Sequence, residues 1–514
     1  MTAARAEADV TRSTWARADT ICLIVIVVIA ALLRLWTLSH PNELIFDETY
    51  YARDACWYVN HSESVCERAA DAPEVHPPLG KWLIAIGIRF DAFDCPEETV
   101  CEGSESSFGW RIMPAIAGIA TVALLYLLAR RLLRSTVAAT IAASLLALDF
   151  LHLVQSRTSM LDIFIPLFGI AGFLFLAFDR DQVGTGARWF DRPWRLAAGA
   201  AFGAAAATKW SGALYLVAGM IISLAWEWSA ARRSKTSLRD LVTRQLPSLA
   251  LYMVAVPIIV YVFTYLGRLE GSFLGLPWSE GHWLRALWDH HQYMLDFHKD
   301  LASNHSYQSP PWSWLALKRP VSYYFCSGDS CRPPNGGDYE EIFATGNPFV
   351  WWTSLLAMLF IAYRWIRRRN LMSPEGLILG GFVFTLVPWL LSDALTHRPA
   401  VFLFYLLPTV PFMCLGLAYV ATVIGRSWEA RSAIAMFAVG TVGVFAFYWP
   451  LLAGKPLPVE QWDARIWVFD NCDKPVGDPI QSTVIETLEG AAQTRVVETT
   501  ADTSSLPPTG WCWI

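Results

Sequence analysis

The chain has 514 residues, 54% of them hydrophobic and only 17% charged, with a mean hydropathy of +0.35, which excludes an ordinary soluble globular protein of this length. A formal net charge of -5, with arginines scattered through short connections, excludes a nucleic-acid footprint. What is left is a chain that uses the bilayer as solvent, where about 20 apolar residues make one helical crossing.

In chain order, apolar runs predict spans at 21–38, 110–128, 136–153, 161–178, 196–207, 211–228, 247–266, 349–366, 376–391, 401–424 and 434–451, about eleven in all. The fold class is an all-α integral membrane bundle with external interfacial helices and loops. The run 196–207 is short and Ala-rich, yet its neighbours leave little room for a soluble helix. The first run is long and lacks a small-residue cleavage site, so it is expected to be an uncleaved anchor. Most of the 25 tryptophans are expected at bilayer interfaces, and none is taken alone as a site.

Orientation follows from the basic clusters. Arg5, Arg12 and Arg17, then Arg130, Arg131 and Arg134, then 180–195, 232–244 and 364–369 fall on one side if the spans alternate. By the positive-inside rule that side is cytoplasmic. This divides the chain into a cytoplasmic segment 1–20, a membrane domain 21–451 with external loops 39–109 and 267–348, and an external tail 452–514. Cysteines agree with it: Cys56, Cys66, Cys95, Cys101, Cys326, Cys331, Cys472 and Cys512 all lie outside, while Cys22 and Cys414 lie within spans. An even set in an oxidising compartment suggests disulfides. Close spacing favours Cys56/Cys66, Cys95/Cys101 and Cys326/Cys331, leaving Cys472 with Cys512, although spacing does not fix connectivity.

Ionisable residues at membrane depth are costly and mark functional sites. They gather at the outer edge: Asp47 and Glu48, Arg111, Arg157 and Asp162, Lys209, and His397 with Arg398. A lone Arg or Lys there is most often a snorkelling side chain. Cations from separate helices around an acidic pair instead resemble a phosphate site beside a general base. Asp47 and Glu48 follow the first span closely, which suits a lipid-linked substrate; capping of an interfacial helix is the bland alternative. His76-Pro77-Pro78-Leu79-Gly80-Lys81 opens an apolar run too short to span, read as a helix lying in the interface. His76 is expected to be a turn residue rather than a metal ligand.

With these residues in place, the chain resembles the protein O-mannosyltransferases, membrane enzymes of the GT-C class. Phe46-Asp47-Glu48 looks like the family's acidic motif, and His76 to Lys81 looks like its His-Pro-Pro-Leu-Gly-Lys motif. Arg111 with Pro114, Ser156-Arg157, Met160-Leu161-Asp162 and Lys209-Trp210-Ser211-Gly212 are similar to motifs lining the phosphate end. His298, His305, Tyr307, Pro311-Trp312, Arg319-Pro320-Val321 and Tyr323-Tyr324 match the loop after the seventh span, and Phe404-Tyr405-Leu406-Leu407-Pro408 completes the match. The loop 267–348 is too short for the β-trefoil MIR insertion of eukaryotic members, so the chain looks like a bacterial, actinobacterial form at the cell membrane.

The resemblance implies inverting transfer of mannose from polyprenyl-phosphate-mannose to Ser or Thr of secreted or membrane proteins, including chains met during translocation. Asp47 is then the base, with Glu48 orienting it or the acceptor. Arg111 and Lys209 are the phosphate ligands, with Arg157, His397 and Arg398 as further candidates. Asp162 would orient one of these cations, and His76, Lys81, His298, His305 and Tyr405 are supporting residues. Such a reaction requires no cofactor if cations surround the leaving phosphate, and a divalent ion near Asp47, Glu48 or His76 stays open. The nearest rival is a GT-C enzyme with a lipid or glycan acceptor. A transporter would show midplane polar groups and repeated halves; no such repeat is visible.

Overall fold

In lipid every backbone polar group must be satisfied within its own segment, so the apolar runs fold as helices. The computed structural model describes residues 15–60, 62–68, 74–91, 107–183, 190–235, 237–266, 283–300, 307–331, 334–396, 401–425, 427–466, 480–488 and 491–499. Helix α1 (Arg17–Leu35) leads through a loop to α2 (Glu48–Asn60), a single turn at Glu63–Cys66 and α3 (Leu79–Asp91), which lie in the first long connection. Then come α4 (Phe108–Leu133), α5 (Thr136–Ala147), α6 (Phe150–Arg157), α7 (Phe164–Asp179), α8 (Pro193–Thr208) and α9 (Ala213–Ser234). Helix α10 (Leu238–Ala250) passes through a π-turn at Leu251–Ala255 into α11 (Val256–Leu266). After α12 (Trp283–Asp300), the chain forms a hairpin of β1 (Val321–Ser327) and β2 (Tyr339–Ala344), then α13 (Pro348–Arg368), α14 (Pro374–Thr396), α15 (Val410–Ile424), α16 (Trp428–Leu452) and α17 (Val459–Ile466). A second antiparallel hairpin pairs β3 (Ile480–Leu488) with β4 (Ala491–Thr499).

The helical bundle is the expected one, and two details differ. Among the described residues nine helices are long and apolar enough to cross a membrane, or ten if α5 and α6 count as one bent span, against the eleven expected. The run 136–153 is not straight: α5 and α6 meet at 58°. Asp149 causes the break, since its carboxylate caps α6 by accepting the His152 N–H at 3.0 Å and also accepts the Trp351 indole N–H at 2.8 Å. A carboxylate in an apolar run was the visible signal. The run 196–207 lies in α8, which at 16 residues falls short of a crossing and is packed among its neighbours. Its glycines permit this, because a Cβ at Gly199 would lie 1.7 Å from the Tyr252 carbonyl oxygen.

The strands are the second difference. Val321 to Cys326 is a β-branched and aromatic run, the composition of a strand, and it pairs with β2 in the register Val321↔Ala344 to Ser327↔Tyr339, with a bulge between Ser322 and Tyr324. Tyr339 exchanges backbone hydrogen bonds of 2.8 and 2.9 Å with Leu457, and the Trp462 indole donates to Glu341 at 2.8 Å. Thus the first turns beyond the last span lie on the hairpin. The Cys56–Cys66 and Cys326–Cys331 disulfides are formed, and Cys22 and Cys414 are free. Cys95, Cys101, Cys472 and Cys512 lie outside the described residues.

Buried charges fasten the helix ends remote from Asp47. Arg192 and Arg195 bind Asp179 and Glu227 at 2.7 to 3.2 Å, joining α7, α8 and α9 with two charges of each sign. Asp19 accepts from Arg130 and Thr136 at 2.7 Å, joining α1, α4 and α5.

Candidate active site

The acidic motif sits where the backbone turns sharply into α2. Phe46 has φ 49°, a left-handed conformation that is strained for an aromatic residue. Its ring stacks on Tyr323 of β1 with centroids 4.4 Å apart, and Phe404 meets it edge-on at 5.9 Å. The hairpin therefore holds the turn in place. As a result the two adjacent carboxylates have different surroundings.

Glu48 is fully buried. Its oxygens accept from Arg111 Nε and Nη2, both at 2.8 Å, from the Ile45 N–H at 3.1 Å and from the Ser159 N–H at 2.7 Å. Arg111 in turn donates through Nη1 to the Pro41 carbonyl at 2.7 Å and Ser107 Oγ at 3.1 Å, and through Nη2 to the Glu43 carbonyl at 2.9 Å. Its N–H groups are fully committed within the protein. Arg157 is placed similarly: its terminal nitrogens donate to the carbonyls of Leu33, Arg34, Trp36 and Thr37, satisfying the end of α1. The hydrogen bonds of both arginines run to groups of the protein itself, those of Arg157 through its terminal nitrogens.

Asp47 is half-buried and makes no ion pair within 4 Å among the described residues. Tyr51, one helical turn on, donates to its Oδ2 at 3.4 Å. Burial pushes the Asp47 carboxyl up to about 6; Lys209 and the Tyr51 hydrogen bond pull it down, and Asp162 pushes it further up. Burial, with Asp47 beside it, also lifts the Tyr51 phenol well above its usual value, so it remains a donor.

Lys209 joins this group from the junction after α8. Its ammonium contacts both Asp162 oxygens, at 3.0 and 3.2 Å, and lies 4.8 Å over the Tyr405 ring. Burial opposes its charge, but Asp162, Tyr405 and Asp47 outweigh that and raise its pKa. Asp162 is thus the carboxylate paired with Lys209. Tyr323, whose hydroxyl accepts from Gln155 at 2.6 Å, also feels Asp162 and Asp47.

Rings extend the site beyond Tyr51. Tyr51 meets His76 at 5.9 Å, His76 stacks on His298 at 5.2 Å, and His298 meets Trp210 at 6.0 Å. His298 Nε2 is 3.0 Å from the Val75 carbonyl, docking α12 on the motif that starts α3. Lys81 lies deeper, paired with Asp54 at 2.7 Å and Glu74 at 2.9 Å. Tyr51 and Gln155 had no role in the sequence reading, and Trp210 entered it only within the Lys209 to Gly212 motif; the spacing of Tyr51 four residues after Asp47 was the available signal. His305, His397 and Arg398 lie outside the described residues. For a metal, the one grouping of three ligand types among the described residues is Cys326, Cys331 and Glu340, whose two sulfurs are already joined in a disulfide. Glu48, bound on both oxygens, has little to offer an ion beside Asp47.

The arrangement offers a carboxylate able to take a proton next to a cation held by a second carboxylate. Residues 24–268 match the family model described as dolichyl-phosphate-mannose-protein mannosyltransferase, and 283–470 match the C-terminal four TMM region of protein-O-mannosyltransferase. The chain is 29% identical over 502 residues to a polyprenol-phosphate-mannose--protein mannosyltransferase of Mycolicibacterium smegmatis, covering 86% of this chain and 91% of the relative. A protein of the same name from Corynebacterium glutamicum is 27% identical, with 88% and 94% covered. In fold, the chain is similar to a chain of the S. cerevisiae protein O-mannosyltransferase Pmt1-Pmt2 complex bound to the sugar donor, with a TM-score of 0.71, 15% identity, and 90% and 94% covered.

Proposed function

The chain belongs to the dolichyl-phosphate-mannose–protein mannosyltransferase family, and on that premise we propose that Asp47 is the base and Lys209 the phosphate ligand of mannosyl transfer to protein hydroxyls. It is a membrane glycosyltransferase of GT-C type that moves mannose from polyprenyl-phosphate-mannose to Ser or Thr of proteins. One observation carries the assignment of roles: of two adjacent carboxylates, Glu48 is saturated by Arg111 and backbone N–H groups, whereas Asp47 faces the Lys209–Asp162 pair with its pKa raised to about 6.

In the reaction, an Asp47 oxygen takes the proton as the acceptor hydroxyl oxygen forms its bond to the anomeric carbon. The bond from that carbon to the phosphate oxygen breaks on the opposite face, inverting the centre, and polyprenyl phosphate leaves with the electron pair. Lys209 stabilises the charge that develops there. Asp162 holds the ammonium at the correct angle, and Tyr51 keeps the Asp47 carboxylate turned toward the acceptor. Glu48 and Arg111 are positioning residues, and Arg157 anchors the end of α1. His397 and Arg398 are proposed as further phosphate ligands, and His76, His298 and His305 as groups beside the acceptor path.

The remaining topology is proposed on the same footing. The arginine-rich helix ends face the cytoplasm, and 21–451 forms the membrane domain with loops 39–109, 267–348 and the tail 452–514 outside. Acceptors are secreted or membrane polypeptides met at the outer face of the cell membrane. The test is a reconstituted assay with mannosyl-phosphoryl-polyprenol and a Ser/Thr-rich peptide, compared with a glycolipid acceptor. Asp47→Asn should lose about 10²- to 10⁴-fold in rate while donor binding survives; equal rates for variant and wild type overturn the assignment.

A further inference from the structure

A cavity of 680 Å³ opens at the opposite end of the bundle from Asp47. Helix α4 measures the separation: Arg111 near its start belongs to the catalytic turn and Arg134 at its C-terminal cap lines the cavity, roughly 34 Å apart at 1.5 Å per residue. Four guanidinium groups from three parts of the chain line it, those of Arg134 after α4, Arg180 after α7, and Arg364 and Arg368 on α13, with one carboxylate, Glu375.

Glu375 is fully buried and already shared. Arg368 donates to it at 3.3 Å, Arg364 lies 4.0 Å away, and the Tyr419 hydroxyl also donates to it. Arg180 is held by the Met372 carbonyl at 3.4 Å and Arg364 by Tyr419 at 3.1 Å. Basic helix ends usually snorkel into water as single side chains. Here two are half-buried and hydrogen-bonded at a common hollow. The comparison within the molecule is direct: Arg192 and Arg195 are neutralised by Asp179 and Glu227, two against two, while this hollow holds four cations against one carboxylate. The N-terminus of α14 also opens on it, at Ser373 and Pro374, and helix N-termini favour anions. Leu132, Leu133 and Val423 supply an apolar side.

We propose that this cavity binds the phosphate of an anionic phospholipid headgroup, as a site separate from that of the donor. Excess positive charge selects a net anion, and the apolar side receives the first carbons of the acyl chains. Phosphate ester chemistry is shared with soluble phosphates; the apolar wall at a bundle end favours the lipid.

The test is native mass spectrometry of the full chain in detergent, titrated with phosphatidylglycerol, phosphatidylcholine or inorganic pyrophosphate. Wild type should retain one phosphatidylglycerol and discriminate against phosphatidylcholine. Arg134 and Arg368 are exposed, so the double variant Arg134→Gln/Arg368→Gln should fold normally, checked by an unchanged melting temperature in lipid-free detergent. It should bind phosphatidylglycerol about 25-fold more weakly, at roughly fivefold per charge. Lys209→Ala, at the far site, should leave this binding unchanged. Equal retention of phosphatidylglycerol by wild type and the double variant, or of phosphatidylcholine and phosphatidylglycerol by wild type, overturns the proposal. Retention of pyrophosphate without phosphatidylglycerol overturns the lipid source.

Discussion

Arg111 and Glu48 meet through two hydrogen bonds of 2.8 Å, and both Glu48 oxygens accept a backbone N–H as well. This pair ties α4 to the loop between α1 and α2 and to Ser159 beyond α6. Its effect on the neighbouring residue is geometric. With Glu48 fixed and Phe46 held in a left-handed conformation against Tyr323, Asp47 has one direction left, toward Lys209 and Asp162.

The pair therefore acts on turnover through position. Lysine lacks the planar fork, so Arg111→Lys should cost Glu48 one of its two hydrogen bonds to this side chain and the surrounding carbonyls several of their donors. A lost hydrogen bond to a charged group costs about 1.5–3 kcal/mol, so the melting temperature in detergent should fall and turnover with it. Donor KM should stay near the wild-type value. A tenfold rise in donor KM with unchanged melting would return Arg111 to the phosphate.

With Asp47 as the proposed base, its pKa of about 6 should set the acid limb of the rate profile. Only the carboxylate accepts a proton, so kcat/KM should fall about tenfold per pH unit below pH 6 and level off above about 7. Asp47→Asn should give a flat residual profile. An acid limb that persists in Asp47→Asn would assign it to another group.

Lys209 makes two contributions that one variant separates. Loss of a charge-assisted hydrogen bond costs about 1.5–3 kcal/mol, so Lys209→Ala should raise donor KM or lower kcat by roughly 10- to 100-fold. Because Lys209 also lowers the Asp47 pKa, the acid limb should move to higher pH. Asp162→Asn should move it the other way, since Asp162 raises that pKa. Limbs that coincide in all three proteins would show that Lys209 and Asp162 do not act on the base.

How much of this was legible in the sequence depends on the scale of the signal. Helices in lipid follow from runs of apolar residues, and the outer layer of charges followed from topology. Which cations meet phosphate did not, because Arg111, Arg157 and Lys209 all sit at helix ends on the same layer. Only packing shows that the first two are satisfied by carbonyls and Glu48. The bend at Asp149 needed partners from 198 and 202 residues away, Asn347 and Trp351. The hairpin was not read from the sequence, although the run from Val321 to Cys326 carries strand composition.

The helix pair α2 and α3 is fastened by charges, and its stability should depend on pH at both ends. Lys81 binds Asp54 and Glu74, Arg68 binds Asp54 at 2.6 Å, and Tyr58 donates to Glu74 at 2.6 Å. Burial raises the Glu74 pKa, but Lys81, Tyr58 and Arg68 outweigh it and hold it below 4.5; burial lowers that of Lys81, but Asp54 and Glu74 outweigh it and hold it above 10.5. The depressed acid stabilises the fold above about pH 4.5 and loses that effect as pH falls through its folded value. The raised base stabilises it below about pH 10.5 and loses that effect as pH rises through its own. Between these limits Lys81→Met should lower stability by about 3–5 kcal/mol by leaving two carboxylates buried against one guanidinium. Melting followed from pH 4 to 9 should show wild type and variant converging at the acid end, where the carboxylates protonate. A constant gap across that range would mean that Lys81 contributes packing rather than charge.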